Sequence, residues 1–153
     1  MDISSGSSYP ASALSNFAPH PFELDGVAIS SMEGFLQSLK CSNPEMQKHV
    51  CTLVGRAAKS KGQGKNWQRT GTLHWQGREI NRYSSEYQEL LDRAFTALYT
   101  TNNSARRALL ATNNSNLQHS KGKKNARETI LTRSELCSRL TRLRERLKTE
   151  SAE

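Results

Sequence analysis

Phe22-Glu23-Leu24-Asp25-Gly26-Val27-Ala28-Ile29-Ser30-Ser31-Met32-Glu33-Gly34-Phe35-Leu36-Gln37-Ser38-Leu39-Lys40 is the stretch on which the fold turns. Asp-Gly tolerates the positive φ values that a two-residue type I′ turn demands, so residues 22–24 and 27–29 read as short strands folded back on each other. Ser30 or Ser31 then stands where a helix cap belongs. Beyond it Met32, Phe35, Leu36 and Leu39 recur at i, i+3, i+4 and i+7, which gathers them on one apolar face. Glu33, Gln37 and Lys40 keep the same spacing one position later and form a polar stripe beside that face. A hairpin feeding straight into an amphipathic helix predicts an α+β fold.

Toward the C-terminus, Asn43-Pro44 opens a second helix, with Pro pre-set for its first turn. Met46, Val50, Leu53, Val54 and Ala57 are its expected buried face, and it ends in the basic, glycine-containing loop of residues 59–65. Thr72-Leu73-His74-Trp75 and Arg78-Glu79-Ile80 flank Gln76-Gly77, the pattern of a second small hairpin. Tyr87, Leu91, Ala94, Phe95 and Leu98 mark a further helix, and Ala105, Ala108 and Leu109 a shorter one. Residues 112–126 are rich in Asn, Ser and Lys and read as loop. Thr132-x-x-Glu135 is a capping box, and the helix it opens buries Leu136, Leu140, Leu143 and Leu147. Toward the N-terminus, Ser-rich residues 1–13 read as a flexible lead-in. The expectation is a mainly helical α+β single domain over residues 14–149, with one or two small β-hairpins, no repeats and a short tail at 150–153.

No apolar run approaches the roughly 20 residues that span a bilayer, and the first residues have no basic region followed by an apolar stretch, so a cytoplasmic protein without a membrane is expected. Three cysteines, Cys41, Cys51 and Cys137, are too few and too odd for a disulfide framework and read as reduced thiols. The 22 Lys and Arg against 14 Asp and Glu leave a net charge of +8, which favours polyanionic partners. Its distribution sharpens that expectation. No acid stands between Glu45 and Glu79, nor between Asp92 and Glu128, while Lys48, Arg56, Lys59, Lys61, Lys65, Arg69 and Arg78 fill the first gap and Lys121, Lys123, Lys124 and Arg127 the end of the second.

Familiar catalytic signatures are missing. Gly62-Gln63-Gly64-Lys65-Asn66 has neither the spacing nor the Ser/Thr of a P-loop. His20, His49, His74, His119 and the cysteines form no paired spacing, so neither a metal nor another cofactor is expected. What remains is distributed. Glu33 borders an apolar face, where partial burial would raise its pKa toward that of an acid or base, although a solvated helix glutamate has the same spacing. Trp67 follows a basic flexible loop, which suits either base stacking or the core. Glu128 closes the second acid-free stretch as a counter-ion or a catalytic carboxylate.

Residues 14–26 and 31–40 together resemble the signature of the NADAR (YbiA-like) family: an L/F-S-N-F segment, a strand ending in D-G, and a helix reading V-E-H-Y-F-Q-x-x-K. Gly55-Arg56 and Lys65-Asn66-Trp67 resemble the family's G-R and K-N-W elements, residues 87–98 its middle helix, residues 108–112 its A-L-L-x-T, and residues 143–147 its closing L-R-x-x-L. Two departures stand out. Glu33-Gly34 replaces E-H, and residues 123–132 replace a W-G-D-G. The resemblance implies an N-glycosidase that removes ADP-ribose from guanine in DNA or RNA; the alternatives are cleavage of riboflavin-pathway ribosylamines, or an ADP-ribose or nucleic-acid binding module without catalysis. It places the catalytic carboxylate on Glu33, with Glu128 in the role of the lost Asp and Glu135, explained already by its capping box, as the competitor. Trp67 would hold the base, Arg56, Lys59 and Lys65 the diphosphate, and Asn16 with Phe17 the ribose end, with Gln37, Lys40 and Asn66 completing the substrate-binding set. The implied ligand is ADP-ribosylated nucleic acid or an ADP-ribose-like molecule, and a monomer is favoured.

Overall fold

A computed structural model describes residues 1–152, and its architecture is a mainly helical α+β fold with two separate hairpins. Strands β1 (Phe22–Leu24) and β2 (Val27–Ile29) pair antiparallel around Asp25 and Gly26, whose φ values of 50° and 78° are those of the type I′ turn read from the sequence. Strands β3 (Thr72–Trp75) and β4 (Arg78–Asn81) repeat the device around Gln76 and Gly77. The two hairpins are tied through Asp25, which accepts from Trp75 Nε1 at 2.8 Å and from Arg93 Nη1 at 2.7 Å.

Helix α1 (Met32–Ser38) starts at Ser31, whose Oγ accepts from the Gly34 amide at 3.0 Å and donates to Leu53 O at 2.8 Å. Phe35 packs edge-on to Phe22 and Trp75, with ring centroids 6.4 and 5.2 Å away, at the meeting point of helix and hairpins. The polar stripe departs from expectation, because α1 is enclosed on every side and Glu33 and Gln37 are buried with the apolar residues.

The expected second helix is two. α2 (Pro44–Cys51) is capped by Asn43 Oδ1 and ends at Thr52, and the chain re-enters a helix as α3 (Gly55–Lys61) through Gly55, whose φ of 55° belongs to the left-handed region. The break turns the face, so Met46, Val54 and Ala57 are exposed while Gln47 and Ala58 face inward. Gln47 answers backbone groups that would otherwise be orphaned, donating to Ser38 O and His74 O and accepting from the Gln76 amide. One turn of helix, α4 (Trp67–Thr70), precedes β3.

α5 (Ser85–Thr101), α6 (Asn103–Ala111) and α7 (Arg133–Ala152) follow, with the buried residues that the helical spacing marks. The capping box of α7 closes as written: the Thr132 amide donates to Glu135 Oε1 at 2.8 Å and the Glu135 amide to Thr132 Oγ1 at 3.1 Å. Residues 1–13 are packed, not loose. Ile3 is fully buried, its amide donates to Gln118 O at 2.7 Å, Asp2 pairs with Gln118 in a parallel bridge, and Ala11–Leu14 form a 3-10 turn with Ala11 and Leu14 in the core. One apolar side chain with a deep slot outweighs a polar composition. The tail expected at 150–153 continues α7 as far as Ala152, and Glu153 lies outside the described residues. No helix among the described residues is long and apolar enough to cross a membrane.

Candidate active site

A cavity of about 460 Å³ collects side chains from distant parts of the chain. α1 and the residue pair behind it supply Glu33, Leu36, Gln37 and Lys40, α3 supplies Lys59, and α4 supplies Trp67 and Gln68. Asn16 and Phe17 join because the Glu33 amide donates to Asn16 O at 3.0 Å, which clamps that turn to the start of α1. His119, Lys121, Lys123 and residues 128–131 close the other boundary. That last segment is positioned by Gln68 on Arg127 O (3.2 Å), Arg82 Nε on Thr129 O (3.1 Å) and the Tyr87 hydroxyl on Ile130 O (2.6 Å).

Glu33 is 8% exposed and accepts from Gln37 Nε2 at 2.9 Å. Burial pushes its carboxyl pKa above the usual range, and the Gln37 bond with the charges of Lys59 and Lys40 recovers only part of the shift. Lys40 moves the other way, since burial lowers its ammonium pKa while the Glu33 charge holds it up. Both shifts come from burial, and a carboxyl whose pKa lies above its usual range suits a general acid or base. Gln37 Oε1 is buried without a hydrogen-bond partner among the described residues and packs against Gly62, where a Cβ would lie 1.7 Å from it.

The expected residues divide between places. Glu33, Glu128, Asn16, Phe17, Gln37, Lys40, Lys59 and Trp67 line this cavity. Lys65 and Asn66 line a second one of about 420 Å³ with Cys41, His74 and Glu79, and Lys40 and Trp67 reach both. Arg56 is exposed on α3 and lines neither, so Lys59 alone of the three diphosphate candidates faces Glu33. Trp67 is 5% exposed and packs in the core, which makes it a wall of both cavities and not a free stacking plane. Glu128 is exposed, while Glu135 grips Arg82 in a two-pronged pair at 3.0 and 2.7 Å and takes a third bond from Gln88. Burial raises the pKa of Glu135, but those bonds outweigh it and hold the carboxyl below its usual range, as a structural anion. Lys121, Lys123 and His119 were not on the expected list; the second acid-free stretch marked the two lysines as cations, but nothing linear joins residue 121 to residue 33. Among the described residues no three His, Cys, Asp or Glu side chains gather as a metal set.

A family model described as Bacteriophage protein GP30.3 matches residues 8–145. The chain belongs to this family. Beside the GP30.3 match, an uncharacterized 17.1 kDa protein in the Gp30-rIII intergenic region of Enterobacteria phage T4 is 38% identical over 149 residues, covering 96% of this chain and 98% of its own. This chain also superposes on the E. coli protein YbiA, solved by NMR, with a TM-score of 0.64 over 99% of this chain and 85% of that one, at 20% identity. The fold is therefore NADAR-like. The packing gives a reason for one departure from the NADAR pattern: a Cβ at Gly34 would lie 2.5 Å from Leu53 O and 3.0 Å from Val50 O, so histidine has no room there.

Proposed function

We propose that the protein is an N-glycosidase that hydrolyses the bond between an anomeric carbon and a base nitrogen, removing ADP-ribose from ADP-ribosylated guanine in nucleic acid. The observation that carries this reading is the Glu33 carboxylate, buried in a cation-lined cavity with its pKa raised and its lone hydrogen-bond donor, Gln37, on the next turn of the same helix. In such a reaction the C–N bond breaks with its electron pair leaving on the base, positive charge grows on the ribose, and water adds to the anomeric carbon. Glu33 in its ionised form takes a proton from that water and faces the growing cation. Glu128, open to solvent and on the same cavity wall, supports the cation or returns a proton to the leaving base. Lys40 and Lys59 meet the diphosphate, and Asn16 and Phe17 the ribose. The decisive experiment incubates purified protein with an oligonucleotide carrying ADP-ribosylated guanine, beside a riboflavin-pathway ribosylamine. Free ADP-ribose with restored guanine is expected; bound but intact ligand at saturation would make the protein a reader instead. Because Glu33 and Glu128 act on one transition state, Glu33→Gln, Glu128→Gln and the double variant should share nearly the same residual rate.

A further inference from the structure

Residues 119–123 form a loop whose backbone is fixed and whose charges are free. Arg133 donates from Nη2 to Ser120 O at 2.6 Å and from Nε to Gly122 O, the Asp2 carboxylate accepts from the Ser120 amide at 2.8 Å, and His119 Nδ1 lies 2.8 Å from Ile3 O. The turn is tight enough that a Cβ at Gly122 would meet the His119 ring at 2.4 Å. None of these bonds uses the side chain of Lys121 or Lys123. Among the described residues neither lysine is in an ion pair, yet both line the Glu33 cavity. Lys40 is half-buried, whereas Lys121 and Lys123 are exposed on the other boundary of the cavity and form its outer pair of cations. Lys40 and Lys59 already match the two charges of a diphosphate, so the outer two answer further phosphates.

A second feature borders the same wall. Next to Glu128, the Arg127 guanidinium lies over the Tyr83 ring, 5.6 Å from its centroid, and Tyr83 is 48% exposed. Gln68, itself a cavity residue, holds Arg127 O. An open aromatic ring backed by a guanidinium is a platform for an unstacked base. Glu33, by contrast, is too deeply set for a nucleoside still in a duplex stack, so the reacting unit must come from a single strand or be flipped out.

We propose that the protein grips the single strand that carries its reacting nucleoside, with Lys121 and Lys123 on strand phosphates and Tyr83 with Arg127 under a neighbouring base. The identity of the reacting nucleoside rests on the N-glycosidase reading; the grip does not. The test is fluorescence anisotropy with an unmodified, fluorescein-labelled oligothymidylate of about 12 nucleotides, titrated at several salt concentrations. The Lys121→Gln, Lys123→Gln double variant should weaken binding roughly 10-fold at about 0.1 M salt and flatten the slope of log Kd against log salt by about 1.4, near 0.7 per lost single-strand contact. Tyr83→Ala should weaken binding at least about fivefold with the slope unchanged. Arg107→Gln, an exposed cation on α6, should leave both untouched. A double variant that melts like the wild type and keeps the wild-type slope and affinity overturns the proposal, as does equal affinity for a blunt duplex. With modified substrate, the double variant should lose at least about tenfold more cleavage of an ADP-ribosylated oligonucleotide than of ADP-ribosylated guanosine; equal loss on both overturns the strand role. A wild type that cleaves neither substrate but binds the oligonucleotide as described sinks the N-glycosidase reading and supports the grip.

Discussion

Replacing Glu33 by Gln keeps the shape and the acceptor for Gln37 but removes a carboxylate that burial holds above its ordinary titration range. The sign of the stability effect follows from linkage: the folded state binds this proton more tightly than the unfolded chain, so the stabilising contribution is full below the unfolded glutamate pKa of about 4.3 and is lost as pH rises through the higher folded value. Glu33→Gln should therefore melt above the wild type at pH 8, with the gap closing toward pH 4, while turnover falls by a factor on the order of 100 to 10,000. Calorimetry at the two pH values beside an ADP-ribose release assay checks both. In the wild type, kcat/KM should fall on the acid side at a pH above the ordinary glutamate range, and Glu33→Gln should lose that limb. Gly34 makes an opposite prediction, since the atoms its Cβ would meet are backbone carbonyls that cannot step aside. Gly34→Ala should cost about 1 to 3 kcal/mol by chemical denaturation, and an unchanged midpoint would refute the tight approach of α1 to the end of α2. The raised pKa of Glu33 was one of two readings its spacing allowed, while the close approach at Gly34 was not legible. Spacing placed Glu33 on a helix beside the core, but its enclosure depends on three elements packing around α1 at once.

At the scale of elements, the start of α7 shows how one carboxylate does two jobs. Glu135 completes the capping box that the sequence announces, and it also neutralises Arg82, which is 1% exposed and stacked on Tyr87 at 4.8 Å. Thr132→Ala removes the cap alone and should cost about 1 kcal/mol. Glu135→Gln also leaves a buried guanidinium without its partner and should cost about 3 to 5 kcal/mol. Comparable losses from the two variants would mean that Arg82 finds water or another acceptor. The hairpins, the caps and the faces of α5, α6 and α7 were readable because each depends on residues within a few positions: Asp-Gly, Ser31, Asn43, and leucines at helical spacing. The split between α2 and α3 was not, because the run from Met46 to Ala57 keeps an apolar rhythm that a straight helix would also satisfy. Only Gly55 marks the break, with a positive φ that L side chains rarely adopt.

Across the whole molecule, the site is a product of chain crossings. Glu33 was found by its motif and its spacing, but Lys121 and Lys123 reach the same cavity only because residues 1–5 hold the 116–122 loop against the body of the fold. Ile3 is the anchor of that arrangement. Ile3→Ala should lower stability by about 2 to 5 kcal/mol, and it should also weaken oligonucleotide binding, since the loop bearing the lysines loses its backing; a melting point equal to wild type would return residues 1–13 to the status of a loose lead-in. The pairing of Asp2 with Gln118 also bears on how the protein is made. Asp2 leaves the ribosome long before Gln118, so the N-terminal segment must wait, unpaired, while the residues between them are made. Residues 128–131, which wall the cavity, emerge later still. A nascent chain stalled before that point holds the residues of the first hairpin and α1 but lacks this wall, so the cavity closes only once residues 128–131 have been made.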